Sequence, residues 1–397
     1  MGEVARSLVT GHGYSSPFGV PTGPTAWTAP LYPLWIATVF RLFGMYTVTS
    51  AIVLMMCNAL LVALIVLPLW EIACRCFSPN VARVSVWIWA LWPFTLPLTR
   101  RIWVSASAAL LFTLIFALTL RIRGIGEDPQ PIAVTATPRR WLLLGILWGV
   151  LAVSMPSFLV FLPFSFLWLL MPAWREPRRQ HLRSQARRAA AAFALCIVFM
   201  TPWMIRNALV FHKFIPMRSD LGVELYLGNG PQSTGIVDNF EYPATNQSQL
   251  NLYRDLGEVA YCHLRGTEAL DFIRAHPLHY LADSLLRIGY YWFGAPAPSN
   301  PNPLILYLPE VQFAFLGLSG VLGFLLALRN RAPGIRLFAL AFLLLPALYY
   351  FVHVQNRFRY SIDPLLYCLM VYLWASAKES VHVRWLTTGW WRQRFRA

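Results

Sequence analysis

The sequence predicts an all-α polytopic membrane protein, a bundle of about nine transmembrane helices with interfacial helices and a small extracytoplasmic domain. Three observations carry that prediction. Of 397 residues, 57% are apolar and 13% are charged, whereas a soluble chain is about half apolar and about a quarter charged. The apolar residues cluster into runs, several of which approach the roughly 20 that cross a bilayer as a helix. Arginines collect in the short connections between those runs, where they act as topology signals.

The apolar runs lie at 47–70, 84–98, 104–120, 141–154, 156–170, 190–209, 306–328, 337–352 and 362–377. Met155-Pro156 separates the fourth from the fifth, because proline lacks an N–H and breaks or bends a helix. A hairpin of two short helices and one long tilted span both fit that break, and the choice sets the side of everything downstream. The arginines arbitrate. Arg75 and Arg83 share one connection, and Arg121, Arg123, Arg139 and Arg140 share another. Arg175, Arg178, Arg179, Arg183, Arg187 and Arg188 fill a third, Arg329, Arg331 and Arg336 a fourth, and the tail carries Arg384, Arg392, Arg394 and Arg396. Only the hairpin puts all five groups on one side, which is then cytoplasmic.

This topology divides the chain into a first outer loop with an interfacial helix (1–46) and an N-terminal transmembrane bundle (47–209). An extracytoplasmic loop domain (210–305), C-terminal transmembrane helices (306–378) and a basic cytoplasmic tail (379–397) follow. The chain starts on the outer side with no span before it, so an apolar helix upstream of Met1 is expected. Pro30–Phe43 is too short to span and carries Arg41, which fits a helix lying in the outer interface. Residues 268–293 mix leucines and aromatics with Arg274, Asp283 and Arg287 in the same manner. Residues 210–305 are too long for a connector and hold the polar groups that the spans lack.

Composition also excludes function classes. The net charge of +16 would suggest nucleic acid in a soluble chain, but here the loop arginines account for it. The cysteines are Cys57, Cys74, Cys76, Cys196, Cys262 and Cys368. They support no disulfide framework on the outer face, and the lone C-x-C lacks the second pair that a zinc site needs. There is no P-loop and no D-x-D, Gly11-His12-Gly13 follows no strand, and His276 and His279 flank Pro277 without a further ligand. No metal and no cofactor is expected.

The outer face offers arginines and a few carboxylates: Arg100, Arg101, Arg206, Arg357 and Arg359, with Glu3, Asp220, Glu224 and Asp363. Each arginine could snorkel to headgroups, or the set could clamp a phosphate, whose geometry guanidinium matches with paired donors. Asn207, Glu224 and Asn229 stand beside them as candidate substrate-binding groups.

The segment "GEVARSLVTGHGYSSPFG…GPTAWTAPLYPLWIATVFRLFG" resembles the first outer loop of the membrane glycosyltransferases of fold type C. The nearest kin are bacterial family 39 proteins similar to protein O-mannosyltransferases and aminoarabinose transferases. The likeness continues through "MPSFLVFLPFSFLWLL", "TPWMIRNALVFHKFIPMRSDLGVELYLGNG", "HPLHYLADSLLRIGYYWF" and "RFRYSIDP". It implies an inverting transfer of sugar from a polyprenyl-phosphate donor to a lipid, glycan or protein acceptor, outside the bacterial inner membrane. It places Glu3 at the position of an acid that acts at the acceptor as general base, and it implies that Arg357, Arg359, Arg206 and Arg101 hold the donor phosphate. A lipid-linked-saccharide transporter or flippase, and a catalytically inactive relative, are the alternatives. Transporters place ionisable groups near the midplane, and the predicted spans hold almost none.

Overall fold

The computed structural model describes residues 1–126, 136–175, 179–231, 233, 236, 241–295 and 303–379. Among these residues helices dominate and no strand forms; isolated bridges join Ser15 to Pro24 and Ile236 to Val354. The helices are α1 (Gly2–Val9), α2 (Leu31–Phe43), α3 (Val48–Leu64), α4 (Val66–Cys76), α5 (Pro79–Leu91), α6 (Leu96–Arg100), α7 (Ser105–Arg123), α8 (Pro138–Ser154), α9 (Leu162–Arg175) and α10 (Arg179–Phe211). They continue as α11 (Leu221–Asn229), α12 (Gln247–Leu256), α13 (Glu258–Ala275), α14 (Pro277–Phe293), α15 (Pro303–Arg329), α16 (Ile335–Phe351) and α17 (Asp363–Glu379).

Local chemistry sets the helix ends. Thr47 and Ser78 cap α3 and α5 through side-chain oxygens that accept from the N–H groups of Ser50 and Val81, and such caps satisfy donors that the first turn leaves unpaired. Gly124 ends α7 in the left-handed conformation, φ 71°, which costs glycine nothing.

Every predicted apolar run lies largely on helix, with divisions the periodicity missed: the run 47–70 is interrupted at Ile65 between α3 and α4, and the run 156–170 opens with a 3-10 turn, Pro156–Val160, before α9. The run 84–98 is split: α5 stops at Leu91, a 3-10 turn spans Pro93–Thr95, and α6 follows. Pro93 cannot donate to the ladder, so the helix ends before it. The arginines from Arg179 onward lie on α10 itself rather than in a loop. Among the described residues, four helical stretches are long and apolar enough to cross a membrane by length and composition: Val48–Cys76 (α3 with α4), Ser105–Arg123, Arg183–Phe211 and Glu310–Arg329. Helix α1 was not expected in the polar N-terminus; it forms because Val4 and Ala5 share a buried face that packs on α2.

The exterior is apolar and parts of the interior are polar, the inverse of a soluble protein. On α14, Leu278, Leu281 and Leu285 are exposed while Asp283, Ser284 and Arg287 are buried. On α3, Val48, Met56 and Leu60 face out while Ser50 and Asn58 face in. Those faces suit contact with lipid. Helix α7 forms the centre: 78% of its apolar window is buried, against 28–39% in the other long helices.

Packing decides between the hairpin and the single tilted span. The rings of Trp141 and Phe166 lie 5.8 Å apart and those of Trp148 and Phe161 6.2 Å apart. In one continuous helix Trp141 and Phe166 would stand about 37 Å apart. Helices α8 and α9 are therefore antiparallel. Helix α10 runs parallel to α8: Trp141 Nε1 donates to Gln185 Oε1, and Gly149 abuts Phe199.

The arginine groups consequently share one end of the bundle. There Arg75 and Arg121 both bond Glu71, Arg188 donates to the Ala136 carbonyl, Arg123 lies over the Trp168 ring, and the turn at Gly334 meets Leu120 and Cys76. Arg178 and the tail residues Arg384, Arg392, Arg394 and Arg396 lie outside the described residues. The first loop, the α6–α7 turn, α11–α14 and the turn before α17 occupy the opposite end.

Candidate active site

The floor of the opposite end is the first loop, and buried polar groups hold it there. Glu258, near the start of α13, is 4% exposed. Its Oε1 accepts from the Ala26 N–H (2.6 Å) and the Ser219 hydroxyl (2.6 Å), and its Oε2 accepts from Tyr253 (2.7 Å) and from Thr25. Burial raises its pKa while these bonds oppose the shift. One carboxylate thus ties together the first loop, the segment before α11, α12 and α13.

Arg206 performs the same task from α10. Its Nη1 donates to the Thr25 carbonyl (2.7 Å) and to Asn207 Oδ1 (2.9 Å), and its Nη2 donates to the Tyr14 carbonyl (2.9 Å). Tyr14, Trp203 and Phe211 surround the guanidinium. Asn207, fully buried, donates to the Ile215 carbonyl. Both residues hold main chain in this state. Asn229 does likewise: its Nδ2 donates to the Val352 carbonyl (3.0 Å) and its Oδ1 accepts from Arg287 (2.8 Å).

Arg101 and Arg357 have a different setting. They line one cavity of about 200 Å³ together with Pro97, Leu98, Ile102, Trp103, Ser105 and Tyr360. The Arg357 guanidinium lies 4.5 Å over the Trp103 ring, and its Nε is buried with no hydrogen-bond partner among the described residues. Burial and nearby Arg101 lower the Arg357 pKa, opposed by Glu224; the group stays charged at neutral pH because its ordinary value is so high. Among the described residues no carboxylate lines the cavity. Two guanidiniums and the hydroxyls of Ser105 and Tyr360 thus stand among apolar walls, and guanidinium is the side chain whose paired donors match an oxyanion. Arg359, 1% exposed, does not line this cavity. Its Nε donates to Asp363 (2.8 Å), its Nη1 donates to the Trp292 carbonyl (2.5 Å), and its Nη2 is buried without a partner among the described residues.

Beside the cavity, Arg218 pairs with Asp220 and with Glu224 (3.4 Å), and His353 Nε2 lies 3.4 Å from the other Glu224 oxygen. Two carboxylates sharing one guanidinium cannot both ionise cheaply. Burial and Glu224 push the Asp220 pKa up to about 8 against the pull of Arg218. Burial and Arg357 push the His353 pKa down to about 3, so its imidazole is neutral.

Glu3 is elsewhere. Its Oε1 accepts from the Tyr46 hydroxyl (2.6 Å) and its Oε2 pairs with Arg6 (2.8 Å). The Arg6 guanidinium also holds the Gly19 carbonyl. The Arg101–Arg357 cavity does not include Glu3. The structure therefore joins Arg101 with Arg357, keeps Arg359 out of their cavity and paired with Asp363, engages Arg206, Asn207 and Asn229 with backbone carbonyls, and leaves Glu3 on the first loop. No cluster able to hold a metal occurs among the described residues; His279 pairs with Asp283 instead. Sequence reasoning missed Glu258, Arg218, His353 and Tyr360. Only their proximity marks them, and none belongs to a spacing pattern.

Among solved structures, the chain is similar to the archaeal oligosaccharyltransferase AglB from Archaeoglobus fulgidus in complex with an inhibitory peptide and a dolichol-phosphate. The TM-score is 0.52 at 15% identity, over 98% of this chain and 47% of that one. The apo form of the same enzyme gives the same values. The fold is that of the type C membrane glycosyltransferases. The chain spans about half the length of these oligosaccharyltransferases. A looser likeness to ArnT from Cupriavidus metallidurans bound to undecaprenyl phosphate, TM-score 0.42 at 14% identity over 95% of this chain and 73% of that one, is too weak to carry an inference. No protein-family model matches the sequence, and no curated protein does. Within the type C fold, the cavity of Arg101 and Arg357 opens at the end of the bundle opposite the arginine-rich connections.

Proposed function

We propose that the chain transfers a sugar from a polyprenyl-phosphate donor to an acceptor hydroxyl, at the extracytoplasmic face of a bacterial inner membrane. The cavity lined by Arg101 and Arg357 carries this reading. It offers a buried guanidinium nitrogen with no bonding partner among the described residues, and no carboxylate among its described lining residues. The solved relative is described with a dolichol-phosphate and a peptide, which fits a lipid-phosphate donor.

In the proposed reaction the acceptor oxygen attacks the anomeric carbon from the face opposite the phosphate. The bond to the phosphate oxygen breaks, the electron pair leaves with the polyprenyl phosphate, and the configuration inverts. Arg101 and Arg357 stabilise the departing charge, a preorganised electrostatic contribution. A carboxylate accepts the proton that the acceptor hydroxyl loses. Glu3 is that base by resemblance. Glu224 is a second candidate, because its charge is felt at Arg357 and it is partly exposed.

The test is reconstitution in liposomes with a radiolabelled polyprenyl-phosphate sugar and an acceptor extract. Arg357→Ala is expected to lower transfer roughly 100-fold or more, the usual cost of removing a charge-stabilising donor. Whichever of Glu3→Gln and Glu224→Gln causes a loss of about 10²–10⁴-fold names the base. A wild-type chain that transfers sugar equally well with Arg357→Ala overturns the assignment of the phosphate site.

A further inference from the structure

The turn between α6 and α7 carries both Arg101 and Trp103, and a side chain of α3 holds it. Helix α6 ends at Arg100. The Trp103 N–H then bonds back to the Arg101 carbonyl (2.8 Å), which closes a three-residue γ-turn. The same carbonyl accepts a second bond, from Asn58 Nδ2 (2.9 Å). Asn58 is 1% exposed. It lies about 15 Å along α3 from Val48, inside a stretch long and apolar enough to cross a membrane. A polar group there is costly, and non-helical backbone at such depth persists only where protein satisfies it. The bond from Asn58 to Arg101 answers both costs at once.

We propose that Asn58 is a positioning residue for the phosphate cavity, acting through the Arg101 carbonyl; this rests on reading that cavity as the donor-phosphate site. The first residue of the turn, Arg101, and the last, Trp103, both line the cavity. The Arg357 guanidinium lies 4.5 Å over the Trp103 ring. One carbonyl therefore sets two lining residues directly and the second guanidinium through its aromatic platform. A scaffold role alone would ask only that this carbonyl be bonded, and the Trp103 N–H already does that. The amide of Asn58 adds a fixed point on α3, against which the turn cannot shift. Such precision matters, because a displacement of about 1 Å in a site can cost about 10²-fold.

The test is binding of a radiolabelled polyprenyl phosphate, without sugar, to the full chain in detergent, with the melting temperature measured in parallel. Asn58→Leu leaves the Arg101 carbonyl bonded to the Trp103 N–H. It is expected to weaken binding roughly tenfold, the equivalent of about one hydrogen bond, at a melting temperature close to that of wild type. Asn58→Asp adds a sign. Its carboxyl donates to the carbonyl only when protonated, so its affinity relative to wild type is expected to rise as pH falls, which loss of packing would not produce. That response stays readable if the leucine variant fails to fold. Arg357→Ala separates the proposal from the reading beneath it. The positioning role alone is overturned if Arg357→Ala weakens binding while Asn58→Leu binds like wild type, or while Asn58→Asp stays as weak at acid pH as at alkaline pH. If Arg357→Ala also binds like wild type, the cavity reading and the proposal fall together.

Discussion

Arg206 and Arg357 carry the same guanidinium at the same end of the molecule, and their surroundings give them opposite tasks. Arg206 spends its donors on the carbonyls of Tyr14 and Thr25 and on Asn207, whereas Arg357 keeps a buried nitrogen free of hydrogen bonds among the described residues. Arg206→Lys retains the charge but not the planar fork. It is expected to lower the melting temperature of the detergent-solubilised chain while leaving donor affinity unchanged; a loss of donor binding at unchanged stability would return Arg206 to the phosphate site. Glu258→Ala strands the Ala26 N–H and several hydroxyls, each worth about 1–3 kcal/mol when buried unpaired. It should be among the most destabilising single changes at this end, as a thermal melt would report.

The same polar cluster predicts a pH dependence with a definite sign. Asp220 keeps its proton in the folded state up to about pH 8 but loses it near pH 4 when unfolded. The folded state therefore binds more protons between those values, and stability falls as pH rises. His353 acts oppositely: its folded pKa of about 3 lies below its unfolded value of about 6.5, so it removes stability as pH falls below 6.5. Between pH 6.5 and 8 His353 no longer contributes, the Asp220 effect continues, and the Met1 amino group, whose pKa burial lowers, works against it. Asp220→Asn should remove the downward component, so that over this interval the variant's melting temperature falls less, or rises more, than that of wild type.

At the scale of elements, glycines set how closely helices approach. A Cβ on Gly145 would lie 2.5 Å from the Ala192 carbonyl oxygen, and one on Gly149 would strike the Phe199 ring. This is the small-residue packing expected where lipid supplies no hydrophobic drive between helices. Gly145→Val is expected to destabilise the α8–α10 pair by about 1–3 kcal/mol through overpacking, visible as earlier loss of a thermal or urea-resistant fold. Gly228 plays a related part on α11: a Cβ there would lie 1.9 Å from the Val352 carbonyl oxygen. The short helix α11 thereby docks against the turn that bears His353 and Arg357.

At the scale of the whole molecule, the hairpin of α8 and α9 sets the orientation of everything after it. Cysteines introduced at Arg183 and Arg331 should react with an impermeant maleimide only from the cytoplasmic side of sealed vesicles, and cysteines at His12 and Lys213 only from the other. An exchange of the two sides would reverse the positive-inside assignment, and labelling of all four positions from one side would overturn the placement of these positions at opposite ends. The bundle's outline was legible in advance because hydrocarbon imposes a one-dimensional rule: apolar run length and arginine placement follow from the cost of dehydrating backbone and charge. The end of α5 before Pro93 was legible in principle from the proline, but the apolar residues on both sides of it concealed the stop.

The sequence by itself determined the helical membrane bundle, the break at Met155-Pro156 and the separation of arginines between two ends, because each depends on local composition against a slab of lipid. Only the tertiary structure decided which polar side chains belong to the scaffold and which remain available. Arg206, Asn207 and Asn229 looked like ligands until their partners appeared, and Glu258 looked like nothing until its donors, from residues 25, 26, 219 and 253, met on it. Hydrogen bonding between residues far apart in the chain leaves no period or spacing to read, so availability for a phosphate is a property of the folded site.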